Sequence, residues 1–117
     1  MKQESLPRDD SLLEKSSANN WIDKSSSVVK AETNSLVTLY INPALKLGCM
    51  FGYIYTPSNT SSWTNAFTLP TGAKPNSTLF FHAGPDTNMQ IGSSGSALYI
   101  GASNQAYKYF NAVYPLA

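Results

Sequence analysis

A chain of 117 residues is long enough for a single domain with one modest core. The formal net charge of +1 provides no long-range field to attract nucleic acid, and no apolar run reaches the roughly 18 residues of a membrane-spanning helix. Cys49 is the only cysteine, which excludes an intrachain disulfide and a metal site built from several thiolates.

The N-terminal region differs from the rest of the chain in its charge. Nine of the fifteen charged residues lie between Lys2 and Lys24, and they leave no apolar stretch of the kind a secretory signal contains. Ser11 and Glu14 have the spacing of a capping box, but the serines and asparagines that follow are poor helix formers. We predict an N-terminal arm over residues 1–20, with a short helix at most, a folded module over residues 21–117, and synthesis in the cytoplasm.

From residue 21 onward, apolar and polar residues alternate with the period of half-buried strands. Turn signals such as Asn42-Pro43 separate successive strands at intervals of about 8 to 12 residues. The pattern predicts strands over residues 27–33, 36–42, 49–56, 63–69, 78–82, 88–91, 97–100 and 107–114. Seven to nine short strands indicate an all-β fold, either an antiparallel β-sandwich or a jelly-roll-like barrel.

Two of these strands have well-marked faces. In the strand at 36–42, one face carries Val37, Leu39 and Ile41. In the strand at 49–56, one face carries Cys49, Phe51, Tyr53 and Tyr55. Because side chains of a strand alternate between its two sides, each set points in one direction. We expect Cys49 and Phe51 to belong to the core.

The surface beyond residue 24 must consist largely of uncharged residues, since only six charges remain there. Serine, threonine and asparagine supply 35 residues of the chain, together with seven tyrosines and two tryptophans. A polar, uncharged and aromatic surface suits burial in an oligomer, or contact with neutral ligands rich in hydroxyl groups, such as saccharides. It is also found on extracellular β modules that do neither.

Three segments follow one another in the second half of the chain: FTLPTGAKPNSTLFFHAG, MQIGSSGSALYIGAS and, at the C-terminus, YKYFNAVYPLA. They contain a Leu-Pro-x-Gly-x-x-Pro turn at 69–75, a hairpin with a glycine-rich turn at 89–100, and a last strand that ends in Tyr114-Pro115. In this order and spacing, residues 28–117 resemble the C-terminal β-sandwich modules of bacteriophage tail fibres and of baseplate receptor-binding or minor structural proteins.

That resemblance implies a homotrimer within a virion appendage, which attaches the phage to the polysaccharide of the host cell surface. The N-terminal arm is then the segment that joins the module to other virion proteins. The chain departs from the fibre pattern because no long shaft or coiled coil precedes the module. Tail, baseplate and capsid therefore stay open as positions in the virion.

Residues suited to saccharides occur in two loops and on nearby strands. Aromatic rings can stack on the C–H face of a sugar, while polar side chains bind its hydroxyl groups. One loop, at 56–63, ends in a tryptophan, and the other, at 84–88, contains the one acidic residue after Glu32. The predicted binding residues are Trp63, Asn59, Tyr53, Tyr55, His82, Asp86 and Asn88. The alternative is that Trp63 belongs to the core and Asp86 only caps a turn.

Catalytic, metal and cofactor sites are not expected. His82 and Asp86 alone fall short of a usual metal ligand set, and nothing marks one of the many serines as a nucleophile. A depolymerase normally needs two carboxylates, whereas Asp86 stands alone beyond Glu32. Two functions stay open: a non-catalytic receptor-binding module, and a structural fibre or decoration protein of the virion without receptor contact.

Overall fold

The computed structural model describes residues 20–56, 61–102 and 106–117, which form nine strands and one short 3₁₀ helix. The strands are β1 (Ile22–Asp23), β2 (Val29–Lys30), β3 (Leu36–Asn42), β4 (Leu47–Thr56), β5 (Thr64–Thr68), β6 (Leu79–Ala83), β7 (Thr87–Ile91), β8 (Ser96–Ile100) and β9 (Ala106–Pro115), and the 3₁₀ helix is Ser25–Ser27. The predicted all-β fold is confirmed. The predicted arm and its capping box lie outside the described residues, except for Asn20.

The strands form two antiparallel sheets that pack face to face. The four-stranded sheet has the order β1-β3-β4-β9, and the five-stranded sheet has the order β2-β5-β8-β7-β6. Phe110 of β9 stacks on Phe67 of β5 with ring centroids 5.7 Å apart, and it contacts Phe81 of β6 at 5.9 Å. Of the two predicted alternatives, the structure is therefore the β-sandwich.

The core lies between the sheets and consists of alternate residues along each strand. Val37, Leu39 and Ile41 are buried on one face of β3, as predicted. In β4, however, the buried side chains are Met50, Ile54 and Thr56. The face of β4 that the sequence assigned to the core is thus the outer one.

The expectation that Cys49 and Phe51 belong to the core is wrong. Phe51 is 46% exposed and Cys49 is half-buried. Met50 lies directly opposite the fully buried Leu39, whereas Phe51 lies opposite Thr38. Because directly paired residues share a face, the pairing with β3 decides which side of β4 points inward.

Predicted and observed strand bounds agree within two residues for seven of the nine strands. The exceptions are β1, which was not predicted, and β2, which covers only two residues of the predicted strand at 27–33. Between them, the Ser25 hydroxyl accepts a hydrogen bond from the backbone N–H of Leu39 at 2.8 Å. Because the Leu39 N–H bonds to this side chain and not to a backbone carbonyl, the regular strand pairing is interrupted between β1 and β2.

The C-terminal end of β9 is anchored to the proline-rich turn at 69–75. The Tyr114 hydroxyl donates a hydrogen bond to the carbonyl oxygen of Ala73 at 2.7 Å, and the side chain is buried. Leu116 pairs with Pro75 in an isolated bridge. Burial raises the pKa of the Tyr114 hydroxyl to about 12.

Gly52 of β4 provides a first test of the fold, because its φ is +145° and an added Cβ would collide with the carbonyl oxygen of Leu36. We expect Gly52→Ala to lower the free energy of unfolding by at least about 2 kcal/mol in urea denaturation. Gly72→Ala is the matched control, since φ is +92° and nothing lies within 4 Å of its added Cβ. Its backbone strain alone should cost about 1 kcal/mol. Equal losses would show that the contact with Leu36 is harmless.

Tyr114 should make the protein less stable at alkaline pH. Its pKa is about 12 in the folded chain against a usual value of 10.0, so folding favours the protonated form. This contribution is fully present below pH 10 and is lost as the pH rises towards 12. Urea denaturation should show the stability difference between wild type and Tyr114→Phe shrinking over that interval. A difference that stays constant would contradict this assignment.

Candidate functional site

A shallow cleft lies on the outer side of the five-stranded sheet, with a volume of about 340 Å³. We call it the Trp63 cleft. The residues that line it are Trp63, Phe80, Phe81, His82, Asn88 and Met89. They come from the start of β5 and from the β6–β7 hairpin, which are separate in the sequence.

The register of the sheet brings these residues together. His82 of β6 lies directly opposite Asn88 of β7, and Asn88 lies opposite Ile100 of β8. The ladder between β5 and β8 ends at the pair Thr64 and Tyr99. Continued by one residue, the same register places Trp63 beside Ile100. A single row across the outer face therefore runs from Trp63 through Ile100 and Asn88 to His82.

Two aromatic rings on this outer face are exposed to solvent. Trp63 is 43% exposed and Phe80 is 69% exposed. Phe80 and His82 are separated by one residue on β6, so both side chains point outward, while Phe81 between them packs against the core. The alternative interpretation of Trp63 as a core residue is therefore wrong.

The cleft offers apolar ring surfaces beside hydrogen-bonding groups. The rings of Trp63 and Phe80 can contact C–H groups, the Asn88 amide can both donate and accept hydrogen bonds, and the His82 imidazole provides two ring nitrogens. Among the described residues, none of those lining the cleft carries a carboxylate, ammonium or guanidinium group. Such a set suits a ligand that has both C–H faces and hydroxyl groups.

The predicted site residues divide between opposite sides of the sandwich. Trp63, His82 and Asn88 meet in the Trp63 cleft. Tyr53 and Tyr55 lie on the outer side of the four-stranded sheet, because their neighbours on β4 point into the core. The sequence grouped these residues as one predicted site, and it did not show that they belong to two surfaces.

The other two predicted residues lie outside the cleft lining. Asn59 falls outside the described residues. The Asp86 carboxylate forms an ion pair with Lys108 of β9, with Nζ 2.9 Å from Oδ1 and 3.1 Å from Oδ2. The Thr87 hydroxyl also donates a hydrogen bond to Asp86 Oδ1 at 3.0 Å. These contacts join the β6–β7 turn to β9 and give Asp86 a structural role.

A second aromatic surface covers the outer side of the four-stranded sheet. We call it the tyrosine face. Its members are Leu36, Phe51, Tyr53, Tyr55, Tyr107, Tyr109 and Val113. The ring of Tyr53 lies 5.1 Å from that of Tyr107 and 5.4 Å from that of Tyr109, and Tyr55 lies 5.2 Å from Tyr107.

Two features of these sites were not predicted from the sequence. Phe80 lies in the apolar run at 79–81, where periodicity alone does not show which residue points outward. The tyrosine face depends on pairing β4 with β9, strands far apart in the chain. Its signal in the sequence is the matched spacing of Tyr53 and Tyr55 with Tyr107 and Tyr109.

Comparison of the chain with protein-family models, with curated proteins and with solved structures gives no match. Within residues 20–56, 61–102 and 106–117, histidine, cysteine and acidic side chains form no group of three or more that could hold a metal ion. In the same part of the chain, no helix has the length and apolar character needed to cross a membrane.

The ion pair between Asp86 and Lys108 should be asymmetric in its effect on stability. The Lys108 side chain is 8% exposed and that of Asp86 is 28% exposed, so only the carboxylate can readily regain water. We expect Asp86→Asn to lower the free energy of unfolding by about 3 kcal/mol, and Lys108→Met by about half as much. Chemical denaturation of both variants and of the double variant measures this. A larger loss for Lys108→Met would contradict the prediction.

Proposed function

We propose that this protein is a non-catalytic saccharide-binding module of a bacteriophage virion appendage, a tail fibre or baseplate, and that it attaches the virion to the host cell surface. The observation that carries the proposal is the meeting of Trp63, Phe80, His82 and Asn88 in one exposed cleft. The assignment to a virion rests on the sequence resemblance of residues 28–117. The geometry of the cleft and the sequence resemblance support the proposal independently of each other.

The cleft binds a neutral sugar through its rings and its amide. The C–H face of the sugar stacks on Trp63 or Phe80, and its hydroxyl groups form hydrogen bonds with Asn88 and His82. A volume of about 340 Å³ lies at the lower end of the usual range of roughly 300–1,000 Å³ for ligand sites. The cleft therefore suits one or two rings of a longer polysaccharide that extends beyond it.

The proposal involves no chemistry on the bound sugar. Glycoside hydrolysis normally uses two carboxylates on either side of the scissile bond. Among the described residues, those lining the Trp63 cleft include no carboxylate, and Asp86 is held by Lys108. Binding without cleavage is the activity that these side chains support.

The resemblance also supports the remaining parts of the proposal. They are a homotrimeric assembly, attachment to other virion proteins through residues 1–20, and incorporation into the virion after synthesis in the host cytoplasm. A structural fibre or decoration protein is the second candidate function. The tyrosine face favours this candidate, because a broad exposed apolar surface is typical of a surface that becomes buried on assembly.

A glycan array followed by a fluorescence titration tests the saccharide site. We expect the protein to retain neutral oligosaccharides, and Trp63→Ala to weaken their binding about five- to thirtyfold, since a lost aromatic contact of this kind costs about 1–2 kcal/mol. Trp21→Ala is the matched control, because Trp21 is 38% exposed and lies outside the cleft lining. It should bind as the wild type does.

Binding to cell walls then connects the site with the biological role. Removal of wall polysaccharide by enzymatic digestion should abolish binding of the wild type and of Trp21→Ala alike. If no glycan is retained, or if Trp63→Ala binds as well as Trp21→Ala, the receptor-binding function is overturned and the structural one is left standing.

A further inference from the structure

A second row of side chains lies beside the Trp63 cleft on the outer face of the five-stranded sheet. Leu98 of β8 lies directly opposite Asn65 of β5 and opposite Gln90 of β7. Gln90 in turn lies opposite Phe80 of β6. Each of these four residues is two positions along its strand from a member of the row that runs through the cleft, so both rows share one face. We call these four residues the second row.

The second row is continuous with the cleft. Phe80 belongs to both, because it lines the cleft and also ends the second row on β6. Neighbouring strands are about 4.8 Å apart, and two residues along a strand span about 7 Å. The two rows therefore form one platform that extends roughly 14 Å across the four strands.

The second row repeats the chemistry of the cleft. The amides of Asn65 and Gln90 can each donate and accept hydrogen bonds, and the exposed ring of Phe80 can contact C–H groups. Leu98 is partly buried and presents an apolar surface between the two amides. None of the four carries a carboxylate, ammonium or guanidinium group. The ligand class that suits the cleft therefore suits the second row as well.

The surroundings of the cleft indicate the direction in which a longer ligand extends. Towards the β6–β7 turn, the next residues on β7 and β8 are Asp86, which is held by Lys108, and Ala102, which is buried. In the opposite direction, Gln90 follows Asn88 on the same face of β7, so that each row contains one amide of this strand. A saccharide that crosses from the cleft to the second row meets a hydrogen-bonding amide in both.

We propose that the second row extends the saccharide site, and that the ligand is a linear neutral polysaccharide that crosses from the Trp63 cleft over Gln90 and Leu98. This inference rests on the proposed function, because it takes the cleft as a saccharide site. The cleft suits one or two sugar rings, and the second row provides contacts for a similar number. Gln90 and Asn65 thus determine the length of polysaccharide that the protein recognises.

The dependence of affinity on chain length tests the second row. The probes are disaccharides to hexasaccharides, separated by size from a partial digest of the neutral glycan that the array retains. We expect the affinity of the wild type to rise with length up to about the tetrasaccharide and then to level off, because the platform ends there. Fluorescence titration of each probe measures this.

Gln90→Ala separates the second row from the cleft. It should bind the disaccharide as the wild type does and the tetrasaccharide about two- to tenfold more weakly, the loss expected for one hydrogen bond. Asn65→Ala should behave in the same way. Asn111→Ala is the matched control, since Asn111 is an exposed amide on the outer side of the other sheet, opposite Phe51. Retained binding of the disaccharide verifies that each variant is folded with an intact cleft.

Three results would overturn the inference and leave the saccharide site in place. They are a wild-type affinity that does not rise beyond the disaccharide, a full gain with length in both Gln90→Ala and Asn65→Ala, and a loss in these variants that is equally large for the disaccharide. Trp63→Ala distinguishes the proposed function, because it should weaken the disaccharide too. If no glycan is retained, or if Trp63→Ala binds the disaccharide as the wild type does, the proposed function and this inference are both overturned.

Discussion

The ten-residue ladder between β4 and β9 is the constraint on which the rest of the structure depends. On its inner side, Phe110 contacts Phe67 of β5 and Phe81 of β6, the two strands that flank the Trp63 cleft. On its outer side, the same register pairs Tyr53 with Tyr109. A slip of β9 by one residue would turn Tyr107 and Tyr109 inward and Phe110 outward, so this register defines both the core and the tyrosine face.

The two surfaces differ in the chemistry they present because they are built on different strands. The outer side of the ladder carries stacked tyrosines over a long, regular pair of strands. The cleft is lined by β6 and β7, only five residues each, and by Trp63, which precedes β5. Polar His82 and Asn88 lie beside its aromatic rings. The ion pair between Lys108 and Asp86 ties that hairpin to β9, so the cleft's position depends on the same ladder.

Most of the secondary structure can be predicted from local patterns, whereas the faces and the site cannot. Alternation and turn residues locate β3 correctly, because they act over a few neighbouring residues. In β4 both faces are apolar, and only its partner Leu39 decides that Met50 points inward and Phe51 outward. Trp63, His82 and Asn88 were selected by residue type, and their meeting in one cleft depends on strand pairings that the local pattern does not contain. Asp86 was predicted as a binding residue because of its charge, but in the structure its carboxylate forms an ion pair with Lys108.

The scarcity of charge beyond residue 24 limits the contacts that these surfaces can offer to a ligand. Without ionic contacts, recognition depends on the fit of rings and on the direction of hydrogen bonds, which discriminate between ligands by geometry. Each such contact is weak, and the small cleft provides few of them. Under the proposed function, tight attachment to a repetitive polymer requires several clefts acting together. With only six charged residues beyond residue 24, the folded module is, under the proposed function, suited to binding through several weak contacts rather than through one tight contact.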